Sequence, residues 1–169
     1  ILFFLDQAPR ISMILIFPSG IHLAKSLGYI NISYSMVISI WLIAISWLIL
    51  VCVLHIKGHA VKKLALFDYW LRIMFVLGMS YVFLNIVINQ PEYIWAGKKI
   101  LAFTITVICG LIIRKKLRSF EPAFVSLIEG KDTAESNQIL KMSIASSRPF
   151  VVLIWACLLF NTSLGLHLI

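Results

Sequence analysis

The chain has 169 residues, of which 61% are hydrophobic and 13% charged, and it carries a net charge of +8. A soluble domain has about 45–50% apolar and roughly 25% charged residues; with a mean hydropathy of +0.99, this chain has too little polar surface to cover a globule in water. Disorder, a collagen, a disulfide scaffold and an ordinary cytosolic enzyme are excluded, and what remains is an all-α, polytopic transmembrane bundle forming a single membrane domain over 1–169.

The chain opens in mid-run with Ile1-Leu2-Phe3-Phe4-Leu5 and without the charged start of a signal peptide. That predicts the last turn of a further helix upstream. Residues 11–26 form the first full span, with a kink predicted at Pro18-Ser19-Gly20, because proline removes an i→i−4 hydrogen bond. Residues 34–55 are the clearest span, free of formal charge before His55. Ser35, Ser39 and Ser46 put small groups on one of its faces and allow a close helix approach. Residues 69–90 form the third span, with Asp68 and Arg72 at i, i+4 as a surface ion pair at its inner end. The fourth span, 95–113, crosses only if Lys98 and Lys99 reach back to the interface. Residues 114–148 read as a polar loop in which Phe120, Phe124, Leu127 and Ile128 recur at helical spacing, as on a membrane surface. Asp132-Thr133-Ala134-Glu135 resembles a capping box that opens a short helix. The last span is 149–168, with Pro149 in its first turn.

Lysine and arginine set the orientation. Arg10, Lys57, Lys62, Lys63, Arg72, Arg114, Lys115, Lys116, Arg118, Lys131, Lys141 and Arg148 fall on one side, and Lys25, Lys98 and Lys99 on the other. The rich side is cytoplasmic, so 56–68 and 114–148 lie inside and the C-terminus outside. The basic excess belongs to helix ends and not to nucleic acid, since no basic face with stacking aromatics stands apart from the spans. Cys52, Cys109 and Cys157 all lie in apolar runs, as small buried hydrophobes.

This topology places His22 and His167 in the outer leaflet and His55 and His59 at the inner end, one helical turn apart. Two imidazoles from two helices are a way to hold haem or a metal. Tyr81, Asn85 and Asn89 follow at i, i+4, i+8 in the outer half of their span, at the level of Glu92, Lys98 and Lys99. In hydrocarbon an asparagine needs a partner, so the stripe either fixes helix packing or lines an outward cavity. A cationic pair near two histidines suits an anionic group such as a haem propionate. The candidate site is therefore His22 and His167 as ligands of haem b or a transition metal, walled by Lys98, Lys99, Tyr81 and Asn85, with His55 and His59 as the alternative metal pair. Nothing matches a nucleophile elbow, a P-loop, a dinucleotide fingerprint, HExxH or a zinc-ribbon spacing, so no sequence signature points to an enzyme.

The run Pro9-Arg10 … Phe17-Pro18-Ser19-Gly20-Ile21-His22-Leu23-Ala24 … Leu27-Gly28, with the ending Arg148-Pro149-Phe150 … Trp155 … Leu164-Gly165, resembles small uncharacterised bacterial inner-membrane proteins. These are loosely similar to the copper-resistance D-type membrane families. The resemblance implies a helical bundle and a link to metal or haem.

Three functions follow as expectations. The first is an inner-membrane protein binding a redox cofactor or metal between helices near the outer face. The second is a non-catalytic subunit or assembly factor, packed in the bilayer against other membrane subunits or its own copies. The third is a small transporter, the weakest of the three because no carboxylate lies deep in a span.

Overall fold

The computed structural model describes residues 2–57, 62–129 and 134–166. Six α-helices account for almost all of them, and no strand occurs among the described residues. In chain order they are α1 (Leu2–Ser26), α2 (Tyr34–Lys57), α3 (Lys62–Asn89), α4 (Ile94–Lys116), α5 (Phe120–Ile128) and α6 (Ala134–Gly165). Short 3-10 turns at Pro91–Tyr93 and Leu117–Ser119 lead into α4 and α5. Four stretches are long and apolar enough to cross a membrane: Tyr34–Ile56, Lys63–Asn89, Pro91–Ser119 and Ala134–Gly165. The chain is thus an integral membrane protein by helix length and composition. It divides into two compact units, one ending at Leu71 and the other starting at Arg72.

In the first unit α1 packs on α2. The helix expected over 11–26 begins at Leu2, so Leu2–Leu5 belong to it and are not the end of a separate element. α1 continues without interruption through Pro18, which is fully buried. It stops in a Schellman turn: the Tyr29 amide donates to Ala24 O at 2.9 Å and the Gly28 amide to Lys25 O at 3.0 Å. Gly28 takes φ +76°, a left-handed conformation costly for a residue with a Cβ. Ser33 then caps α2, its Oγ accepting the Met36 amide at 3.2 Å. The Lys25 ammonium lies 3.4 Å from the centre of the Tyr34 ring and ties the end of α1 to the start of α2.

The buried face of α2 is Val37, Ala44, Trp47 and Val51. Ser35, Ser39 and Ser46 point away from it and are exposed, and Ser39 and Ser46 bond to carbonyls one turn back. The small-residue face expected from those serines is therefore exposed and not covered by α1. The helix is apolar on all sides, so hydropathy could not show which side faces a neighbour.

In the second unit α4 and α5 both pack on α6. The small-residue interface lies here. α4 buries Ala102, Thr104, Thr106 and Cys109, and α6 buries Ser143, Ser147 and Cys157. Thr104, Thr106 and Ser147 donate to carbonyls of their own helices at 2.8, 3.0 and 2.8 Å, so their hydroxyls are satisfied without leaving a gap. Two contacts set an antiparallel register. A Cβ at Gly165 would sit 3.6 Å from the Lys99 ammonium, and the Lys116 ammonium lies 5.5 Å from the Phe150 ring centre. Ser126 and Ser136 hydroxyls meet at 3.1 Å and join α5 to the first turn of α6.

The segment 114–148, read from the sequence as a polar loop, is largely helical. α6 is a single helix of 32 residues starting at Ala134, with Pro149 inside it and not at its first turn. The start near Ala134 agrees with the expected helix opening there, whose capping residues Asp132 and Thr133 lie outside the described residues. α5 covers Phe120–Ile128, with Phe120 and Phe124 stacked at 5.8 Å.

Candidate functional site

α3 begins seven residues before the span read from the sequence, so Asp68 lies inside a helix and not at its mouth. Its side chain is 2% exposed. Trp47 of α2, itself buried, donates its indole N–H to Asp68 Oδ1 at 3.0 Å. Trp47 stands near the middle of α2; the carboxylate therefore meets α2 roughly 15 Å back from that helix's last residue. Arg72, one turn further along α3, is 8% exposed. The surface ion pair expected from Asp68 and Arg72 is thus corrected: both residues are buried. Asp68 is thus buried five residues after the start of the candidate span Lys63–Asn89.

Nothing in local sequence spacing joined Trp47 to Asp68. A signal existed nonetheless in the residue types: a carboxylate in an apolar run needs a donor, and Trp47 offers an indole N–H from within another apolar run.

The second unit holds most of the polar residues expected at the outer face. Asn89 Nδ2 donates to Asn85 Oδ1 at 2.7 Å. Asn85 is half-buried, Asn89 is exposed and Tyr81 is 72% exposed, so this stripe on α3 is largely uncovered. α4 meets α3 elsewhere, through Gly97 against Ile86 and Phe83 and through Phe75 edge-on to Phe103 at 6.1 Å. Lys98 is exposed. Lys99 is half-buried, its ammonium 5.1 Å from the Trp95 ring centre and next to the last turn of α6, where a cation offsets the negative end of the helix dipole. One turn before Gly165, the Asn161 side-chain oxygen is buried without a hydrogen-bond partner.

Of the expected site, Lys99 and the α6 terminus come together, as do Asn85 and Asn89. His22 is exposed on α1, in the other unit, where its carbonyl accepts the Ser26 hydroxyl at 2.9 Å. His55 is half-buried on α2. His167 and His59 lie outside the described residues. Among the described residues no group of three or more His, Cys, Asp or Glu side chains is placed to hold a metal ion.

Comparison with protein-family models gives no match, and no curated protein or solved structure matches the chain. The functional reading therefore rests on the residues and their surroundings alone.

Proposed function

We propose that this chain is a five-span protein of the bacterial inner membrane, with α1 as the fifth span and the C-terminus outside. On this reading it works as a non-catalytic subunit or assembly component that binds other membrane helices. The observation that carries the reading is the Tyr81, Asn85 and Asn89 stripe, uncovered within an apolar helix. A side-chain amide has two N–H donors and an oxygen with two lone pairs. The bond between Asn85 and Asn89 uses one donor and one acceptor. The remaining groups would each cost free energy wherever lipid covers them, and a second helix laid along α3 supplies their partners.

The test is purification of the native-level protein in a mild detergent, with its mass and absorption spectrum recorded. Under this proposal the protein is colourless and runs in a complex larger than one chain, and Asn85→Leu with Asn89→Leu releases it from that complex. A Soret band that disappears in His22→Ala would instead support a haem-binding protein with His22 and His167 as axial ligands. A monomer whose size the double variant leaves unchanged overturns the subunit reading.

Asp68 favours a second reading, a small transporter. An ionisable group buried in a span is costly and is commonly kept for moving charge. A pH-driven uptake by vesicles holding the chain that Asp68→Asn abolishes would support it.

A further inference from the structure

α4 ends in Arg114, Lys115 and Lys116, and Arg118 follows in the adjoining 3-10 turn. Cations at a helix C-terminus offset its dipole, which by itself accounts for residues on α4. The contact of Lys116 with the Phe150 ring brings a second helix into the arrangement. It sets the end of α4 at the level of Phe150, and Arg148 stands two residues from Phe150 on α6. Arg148 lies in the interior of α6, where no dipole calls for a cation. Arg114, Lys115, Arg118 and Arg148 are all exposed. Two packed helices thus bring exposed basic residues to one level, while Lys116 is held against the Phe150 ring.

The depth of these residues, the basic rim, is fixed by the same helix pair. Between Lys99 and Arg114, α4 carries no formal charge. From Lys99, beside Trp95, to Lys116 the rise is about 25 Å, close to the roughly 30 Å of a hydrocarbon core. If the lysine and tryptophan at one end mark one interface, the rim falls among the headgroups of the other. Arginine binds phosphate oxygens through paired N–H groups, and interfacial lysine and arginine clusters attract acidic lipids.

We propose that Lys115, Arg118 and Arg148, with Arg114 beside them, form a binding site for the phosphate-bearing headgroups of anionic phospholipids. The site is independent of the partner chain proposed above and requires only that α4 and α6 span the bilayer.

Native mass spectrometry of the full chain in detergent, titrated with phosphatidylglycerol or phosphatidylcholine, tests this. The expected result is preferential retention of phosphatidylglycerol, weakened roughly fivefold by each of Arg118→Gln and Arg148→Gln. Arg148→Lys keeps most of the preference, and Lys141→Gln, an exposed cation of α6 away from the rim, keeps all of it. Unchanged helical circular dichroism confirms that the variants fold. Equal retention of the two lipids overturns the proposal. So does a loss in Lys141→Gln as large as that in Arg148→Gln, because net charge and not the rim would then be responsible. Displacement of the lipid by inorganic phosphate, beyond that caused by chloride at matched ionic strength, assigns the site to free phosphate and also overturns it.

Discussion

The bond from Trp47 to Asp68 shows how much one side chain depends on its surroundings. Asp68 is a buried carboxylate in an apolar helix, and the indole is a donor aimed at it. Trp47→Phe keeps the aromatic bulk and removes that donor. It should destabilise the protein by about 1–3 kcal/mol, the cost of leaving a buried polar group short of a partner. Asp68→Asn keeps an acceptor oxygen and should lose less. Thermal unfolding in detergent, followed by circular dichroism, compares the two, and a Trp47→Phe protein that melts with the parent would show that the bond contributes nothing. At this scale the sequence is least informative. Asp68 and Arg72 are visible as a spaced pair, but the burial of Asp68 depends on what α2 presents to it.

Whole helices were more legible. Residues 34–55 read as a span because no charge interrupts them, and α2 occupies Tyr34–Lys57 with Ser33 as its cap. α6 departs from the expected polar loop over 114–148 and span over 149–168 for a physical reason. Pro149 and the polar composition of 134–148 both argue for a break, yet Ser143 and Ser147 are buried on the side that α4 and α5 cover, and tertiary packing overrides the local preference. The face that each helix turns to its neighbour was not legible, since rotation about the axis leaves no trace where every side is apolar. Gly97 marks such a face between α3 and α4: a Cβ there would lie 3.3 Å from Ile86 Cγ2 and 3.6 Å from Phe83. Gly97→Val adds further methyl groups to this gap and should destabilise by about 1–3 kcal/mol. The loss should appear as a lower unfolding temperature, and an unchanged one would mean that α3 can move aside.

For the molecule as a whole, composition established membrane embedding and helicity, while the arrangement of polar residues into a site was beyond it. His22 and His167 are candidate ligands by residue type and depth, with Lys99 beside them by depth, and depth says nothing of which helices are neighbours. Orientation is the part of the proposed function that charge argues most directly, through the excess of lysine and arginine on one side of the spans. A phosphatase that is active only after export should give activity when fused behind the last residue and none when inserted within 114–148. The opposite result would invert the molecule in the bilayer.

α6 is 32 residues long, so it measures about 48 Å against a hydrocarbon core of roughly 30 Å. Tilting does not remove the excess, because at the extreme of about 40° the helix still rises some 37 Å. One uninterrupted helix is therefore shared between two media, and somewhere along it the surroundings change from oil to water. Pro149 has no N–H to give, which frees the carbonyl of Ala145, an exposed residue one turn back. In the middle of the hydrocarbon that carbonyl would lack a donor. Beside Arg148 and the proposed headgroups, water can reach it, and the proline falls where the medium replaces the hydrogen bond that the helix lacks.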